Sequence, residues 1–335
     1  MPRPRKVKLT EVKSSSFLDA LKFLSLITKE QGSPNETHIY LSSKWAFCFN
    51  GTISAATPIT EDINCCPNNS LIIEALSKCK NGYSFNLNEN KLSLKSDKFK
   101  AFIPCIDPTI YQLTVPDPPT LPIDDRFRLA IEAVNVFPHM ESSESIVLLS
   151  ILMNGQTVVG SDSKVIFEYW HGLELPLGLS IPKTFASAFI KITKKLIKFG
   201  YSQSSVTFYY EDQSWIKTQL HAKLWPDISA ILNKTSNPYP LPADFFDALV
   251  AVAPFSQNGQ VYFDAGTMRS HSETGVGASF EVVGLPRGPV FPAKQLALLK
   301  PWAETVDFLV PGPHQGSTML LAYGSKMRGA IAGRS

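Results

Sequence analysis

The chain repeats itself. An amphipathic helix signal, strand-like runs, a proline-led second helix and closing strands occur three times, every ~110 residues, a spacing well beyond the ~50 residues of the longest solenoid units. The leading helices read Phe17-Leu-Asp-Ala-Leu-Lys-Phe-Leu, Phe127-Arg-Leu-Ala-Ile-Glu-Ala-Val and Phe245-Phe-Asp-Ala-Leu-Val-Ala-Val. The second helices open at Pro67-Asn-Asn-Ser-Leu-Ile-Ile, Pro182-Lys-Thr-Phe-Ala-Ser and Pro292-Ala-Lys-Gln-Leu-Ala. Three tandem copies of one domain follow from this pattern.

Alternating runs such as His38-Ile-Tyr-Leu, Ser150-Ile-Leu-Met, Thr207-Phe-Tyr-Tyr and Val261-Tyr-Phe-Asp predict half-buried antiparallel strands. Asn50-Gly51, Asn154-Gly155 and Asn258-Gly259 supply residues that tolerate the positive φ of tight hairpins. Each copy is therefore expected to be α+β, with two helices packed on antiparallel sheets. The proline-rich stretches Thr114-Val-Pro-Asp-Pro-Pro-Thr-Leu-Pro and Leu232-Asn-Lys-Thr-Ser-Asn-Pro-Tyr-Pro read as stiff, extended connectors. They divide the chain into expected domains at residues 1–115, 122–228 and 238–335.

The 335 residues suit two or three domains of ~150 residues each, and 44% hydrophobic content fills several small cores. Net charge is +3. The basic start Met1-Pro-Arg-Pro-Arg-Lys-Val-Lys lacks the apolar centre of a signal peptide, and no apolar run approaches the ~18 residues of a membrane span, so a soluble, cytoplasmic protein is expected. Cys48, Cys65, Cys66, Cys79 and Cys105 are odd in number and lack zinc-site spacing, which predicts reduced thiols and no metal.

The run from Lys183 to Phe199 predicts one long helix, with Phe185, Phe189, Ile192, Leu196 and Phe199 on an apolar stripe. Lys191, Lys194, Lys195 and Lys198 would point the other way. They form either a solvated polar face or a surface for phosphate, where lysines attract a polyanion without reading sequence. Lys22, Lys29, Lys78, Lys80, Arg126, Arg128, Lys294 and Lys300 are the matching basic candidates on the other helices, whereas the helix from Asp244 to Phe255 has none.

An enzyme would need a nucleophile with its base, a metal cluster or a phosphate loop. No GxSxG, HExxH or GxxxxGK[ST] occurs, and Gly275-Val-Gly-Ala-Ser lacks a third glycine. His38, His139, His171, His221, His271 and His314 occupy unrelated positions in the three copies. Asp124-Asp125 suits a helix start. Neither catalysis nor a cofactor is expected.

Gln156-Thr-Val-Val-Gly-Ser-Asp-Ser-Lys-Val-Ile, Ile181-Pro-Lys-Thr-Phe and Leu220-His-Ala-Lys-Leu-Trp-Pro-Asp-Ile resemble, in order and spacing, the A-T-D-G-H-R-L, I-P-x-K-T-L and L-I-x-G-x-F-P-D-Y segments of the DNA polymerase sliding clamps, specifically the three-domain bacterial type. The resemblance spans about residues 7–333 and is strongest over 145–232. Ser163, Lys164 and Val165 replace the family's Gly-His-Arg, Ala230 stands where an arginine is common, and the Met-rich ending is missing. These departures mark a divergent member and fit a bacteriophage source.

The resemblance implies a head-to-tail homodimer that closes a ring around double-stranded DNA, a processivity factor serving a DNA polymerase and loaded by a clamp loader, without membrane contact. It also implies a partner-peptide cleft built from Ser161, Asp162, Val165, Ile166, Pro226, Ile231, Ile331 and Arg334. For Ile166 and Ile231 plain core packing is the alternative role. A non-ring, clamp-like scaffold or polymerase accessory protein is the alternative to the ring.

Overall fold

A computed structural model describes residues 14–80, 82–137, 143–273, 275–310 and 318–334. The basic start of the chain, His139 and His314 lie outside these residues.

In the first copy the elements are Ser14–Ser25 (α1), Pro34–Thr37 (α2), Tyr40–Ser42 (β1), Trp45–Phe49 (β2), Ile53–Pro58 (β3), Cys66–Pro67 (β4), Asn69–Ser77 (α3), Ser84–Asn88 (β5), Lys91–Ser96 (β6) and Phe99–Ile106 (β7). The second has Pro119–Pro122 (β8), Asp125–Val134 (α4), Ile146–Leu149 (α5), Ser150–Asn154 (β9), Thr157–Ser161 (β10), Val165–Trp170 (β11), Leu179–Pro182 (β12), Lys183–Phe189 (α6), Leu196–Tyr201 (β13), Ser205–Tyr210 (β14) and Trp215–Gln219 (β15). After Ser229–Leu232 (α7), the third has Tyr239–Pro240 (β16), Phe245–Val252 (α8), Gln260–Phe263 (β17), Thr267–Arg269 (β18), Ser279–Glu281 (β19), Val290–Pro292 (β20), Ala293–Ala297 (α9), Thr305–Leu309 (β21), Met319–Tyr323 (β22) and Met327–Ala332 (β23).

The leading helices form for one reason. Phe127, Ala130, Ile131 and Val134 are buried along α4, and Phe245, Ala248, Leu249 and Val252 repeat that spacing along α8. Steps of three and four place them on one stripe. Phe17, Leu21 and Leu24 serve α1 in the same way. At the start of α3 the Asn68 side chain accepts the Leu71 amide at 3.1 Å, satisfying a donor that the helix leaves free. Gly51 and Gly155 turn the β2–β3 and β9–β10 hairpins with φ of 93° and 65°, as their Asn-Gly pairs predict, whereas Asn258-Gly259, expected to turn a third hairpin, leads from the end of α8 into β17 with Gly259 at φ 69°.

The chain divides into two compact units. Residues 1–125 and 187–220 form the first, which holds a seven-stranded sheet in the order β1-β2-β3-β15-β14-β13-β8 and a four-stranded sheet β4-β7-β6-β5. Here the first copy joins the second through antiparallel pairing of β3 with β15, Ile53 opposite Thr218 and Ala56 opposite Trp215. Residues 126–186 and 221–335 form the other, with an eight-stranded sheet β12-β9-β10-β11-β23-β22-β21-β16 and a four-stranded sheet β19-β18-β17-β20. In it the second copy joins the third through β11 and β23, Val165 opposite Ile331 and Glu168 opposite Arg328.

The long helix expected from Lys183 to Phe199 does not form. Helix α6 stops at Phe189 and residues from Leu196 enter β13. Phe185, Phe189, Ile192, Leu196 and Phe199 are all buried, so their burial was legible while their conformation was not. Ile190, Ile192 and Thr193 are β-branched and weaken a helix beyond Phe189. A register shift between Leu196 and Lys198 then brings Leu196 and Phe199 to one face of the strand, imitating a helical step of three.

The first proline-rich connector is fastened at its middle. Asp117 is buried, and its carboxylate accepts Ser205 Oγ at 2.8 Å, Thr207 Oγ1 at 2.8 Å and Lys217 Nζ at 3.3 Å. Its amide donates to Thr207 Oγ1 at 2.9 Å, and Tyr209 Oη donates to its carbonyl. Beyond it, β8 pairs with β13 at a sheet edge, where proline needs no ladder donor. Asp117→Ala leaves Ser205, Thr207 and the charged Lys217 without the carboxylate they donate to, so unfolding in urea should show a loss of about 3 kcal/mol. A loss below about 1 kcal/mol would mean that water replaces the carboxylate.

Candidate partner cleft and basic surface

In the second unit a cleft of about 390 Å³ lies over the junction of the second and third copies. Its floor is a face of the eight-stranded sheet, where Leu152, Val159, Ile166, Leu321 and Ala330 form one buried layer with Leu232. The chain after β15 crosses this layer, packing Trp225 and Ile228 on it and leaving Leu224 80% exposed. The indole N–H of Trp225 donates to Ser150 Oγ at 2.8 Å, which fixes the ring as a wall.

One ion pair floors the cleft. Arg328 Nε donates to Glu168 Oε2 at 2.6 Å, and its Nη1 reaches Leu232 O at 3.2 Å and Asn233 Oδ1 at 3.1 Å. Thr157 Oγ1 donates to the other Glu168 oxygen at 2.9 Å, and the guanidinium lies 5.0 Å from the centre of the Trp170 ring. The arginine thus ties sheet to connector. Asp227 accepts the Ser229 amide at 2.9 Å at the start of α7, and hydrogen bonds from the Ser229 hydroxyl and then from its amide hold the carboxyl below the usual range.

The expected cleft residues separate into groups. Ile166 belongs to the floor, Pro226 lines the opening, and Ile231 is 36% exposed on α7. Val165 and Ile331 face each other across the ladder and are 1% and 0% exposed. Strand alternation puts them on the sheet face opposite Ile166 and Ala330, so their expected place in the cleft is corrected. Ser161 is buried and Asp162 half-buried in the β10–β11 turn, where Asp162 accepts the Lys164 and Val165 amides at 2.9 and 2.8 Å and Gln295 Nε2 at 3.4 Å. Arg334 is exposed and bridges Val290 through its backbone. Leu152, Glu168, Leu224, Trp225, Ile228 and Arg328 were missed, because only the fold brings β9, β11, β23 and the connector together.

Lys183 supports the same turn. Fully buried, it donates from Nζ to Ser161 O at 2.8 Å and lies 5.6 Å from the centre of the Phe137 ring.

The basic candidates also divide. Lys22, Arg126 and Lys294 are exposed on α1, α4 and α9, and Arg128 is half-buried on α4. Exposed Lys29, Lys80, Lys191 and Lys300 follow helices in turns, and Lys78 caps α3 beside Glu74 at 2.8 Å. Lys29 pairs with Glu36, whose carboxyl it holds at about 2. The expectation of four lysines on one helix is corrected: Lys194 and Lys195 are in a loop and Lys198 is on β13. Lys194 is engaged internally, 2.6 Å from Asp212, 3.0 Å from Ser214 Oγ and 4.0 Å from the centre of the Phe23 ring. Lys195 pairs with Glu211 at 3.0 Å. All five cysteines are free thiols. Among the described residues no helix is long and apolar enough to cross a membrane.

No family model matches the sequence, and no curated protein matches it. Solved structures do. The Helicobacter pylori β clamp bound to a DNA ligase peptide is similar at TM-score 0.76 and 17% identity, over 97% of this chain and 99% of that one. The β subunit of DNA polymerase III from Pseudomonas aeruginosa is similar at 0.77 and 11%, over 97% and 99%. The β chain of DNA polymerase III from Streptococcus pneumoniae is similar at 0.78 and 16%, over 96% and 98%. The chain has the three-domain fold of the bacterial β sliding clamps.

Burial holds the Lys183 ammonium down at about 8 from the ordinary 10.5, against the opposing pull of the Asp162 carboxylate. Because the native value is the lower one, the unfolded chain binds more protons between about pH 8 and 10.5, and stability from this residue rises with pH across that window. Lys183→Met removes the proton equilibrium. The unfolding free energy of wild type minus that of the variant should climb from pH 8 to 10.5 in denaturant titrations, and a flat difference would count against the assignment.

Proposed function

We propose that this chain is a DNA polymerase processivity factor that encircles double-stranded DNA as a head-to-tail homodimer, with domains at 1–115, 122–228 and 238–335. Likeness to bacterial β clamps over nearly the whole chain is the observation that carries this reading. The ring has no chemistry of its own and holds DNA by topology, so contacts from exposed Lys22, Arg126, Lys294 and Lys300 need only be weak and indifferent to sequence. A clamp loader places it on DNA in the cytoplasm. The polymerase docks a short peptide in the cleft beside Pro226, Ile231 and Trp225, a reading supported by the similar H. pylori clamp, which is bound to a DNA ligase peptide.

The strand pairings support closure. β3 pairs with β15, and β11 with β23, so the third pair in the series joins β19 to β7. β19 ends its sheet. β7 meets β6 along its length and β4 only at Cys105 and Ile106, leaving its other edge open where β23 meets β11. We assign this pairing between subunits, where a heterologous contact repeated twice closes a ring. Phe102 on β7 is 63% exposed and Val283 after β19 is 90% exposed, apolar side chains that this contact buries.

Sedimentation equilibrium should give twice the 37.0 kDa chain mass for the wild type and 37.0 kDa for Phe102→Asp, which sets a charge in the buried edge. A wild-type monomer would instead favour a clamp-like scaffold. Loaded protein should stay on nicked circular DNA and slide from linear DNA of the same length, whereas equal retention on both, lost together with rising salt, marks an ordinary basic binder.

A further inference from the structure

The first unit carries an apolar groove that the proposed function leaves unused. Trp45 and Phe47 of β2, Trp215 of β15 and the connector residues Leu113, Val115 and Pro116 enclose about 280 Å³. Trp45 and Phe47 stack at 6.2 Å, and Phe47 stacks on Tyr40 at 6.1 Å. Val115 is 79% and Leu113 53% exposed, although the connector is firmly held beside them by Asp117 and by Lys217 Nζ, which donates to Val115 O at 2.8 Å.

The groove is the counterpart, at the first junction, of the cleft at the second. In the ladders Ile53 opposite Thr218 corresponds to Val165 opposite Ile331, so Ala56 opposite Trp215 corresponds to Glu168 opposite Arg328. In both places a connector crosses a sheet shared by two copies. The floors differ in chemistry: an ion pair at the second junction, an indole beside a methyl group at the first.

Size and charge define the occupant. A volume below the ~300–1,000 Å³ of small-molecule pockets suits one or two side chains of an extended segment. No lining residue is acidic. Lys44 is exposed at the turn leading into Trp45, whereas Lys217, on the same sheet face as Trp215, is already paired with Asp117. The connector's own carboxylate, Asp117, is buried and turned to Ser205, Thr207 and Lys217.

We propose that this groove is a second docking site, which takes an extended acidic segment of a partner protein, one aromatic or leucine side chain entering between Trp45, Trp215 and Val115 and a carboxylate lying by Lys44. The full chain labelled with 5-fluorotryptophan tests it by fluorine NMR, with acetyl-Pro-Leu-Phe-Asp-Asp-amide as probe and acetyl-Pro-Leu-Phe-Lys-Lys-amide as its charge-reversed control. The acidic peptide should shift the Trp45 and Trp215 resonances saturably at millimolar concentration and bind about two- to fivefold more tightly than the control. Val115→Glu, at an exposed position, should abolish those shifts with thermal unfolding unchanged, and Lys44→Glu should erase the preference for the acidic peptide. The Trp225 resonance reports the cleft separately in the same spectrum. Silent Trp45 and Trp215 resonances, equal binding of both peptides, or shifts that survive Val115→Glu would overturn the proposal. So would movement of these resonances with protein concentration alone, which would assign the groove to a second copy.

Discussion

The backbone ladders between β3 and β15 and between β11 and β23 are what the rest of the structure depends on. A strand at the edge of a sheet exposes a row of unpaired amides and carbonyls, and each junction removes two such edges at once. Neighbouring copies are thereby fused into sheets of seven and eight strands. Side chains could repack around a hydrophobic contact, but a ladder fixes register residue by residue, because a slip of one position would turn every buried side chain outward.

Register is also what makes the sites. At the second junction it sets Glu168 opposite Arg328, and the arginine then reaches across to Leu232 and Asn233 to hold the connector over the sheet. At the first it sets Ala56 opposite Trp215, and Lys217 and Asp117 hold the connector instead. The same backbone device with different side chains yields a cleft floored by charge and a groove floored by an aromatic ring. Buried polar groups are costly unless partnered, so both anchors are networks rather than single bonds.

Much of the fold was legible in the residues. The spacing of Phe127, Ala130, Ile131 and Val134 and its repeat from Phe245 announce two helices that the structure contains, and Asn50-Gly51 and Asn154-Gly155 mark hairpins that form, while Asn258-Gly259 makes a helix-to-strand turn instead. The failure from Lys183 to Phe199 has a definite cause: a bulge in β13 mimics helical periodicity, which outweighed the opposing signal of the β-branched Ile190, Ile192 and Thr193. Val165 and Ile331 were misplaced for a related reason. A motif gives position along a chain, whereas the face of a strand depends on the parity set by its partner.

By itself the sequence determined that there are three copies, where apolar stripes and turns fall, and that segments 156–166 and 220–228 resemble those of a clamp, since these are properties of residues close together in the chain. Tertiary structure alone decided which strands meet across copies, that Lys194 is consumed by Asp212 and Phe23, and that Trp225, Glu168 and Arg328 share a cleft. The physical reason is distance along the chain. Residues 168 and 328 become neighbours only when two strand edges satisfy each other's hydrogen bonds, and no local pattern in either strand names its partner.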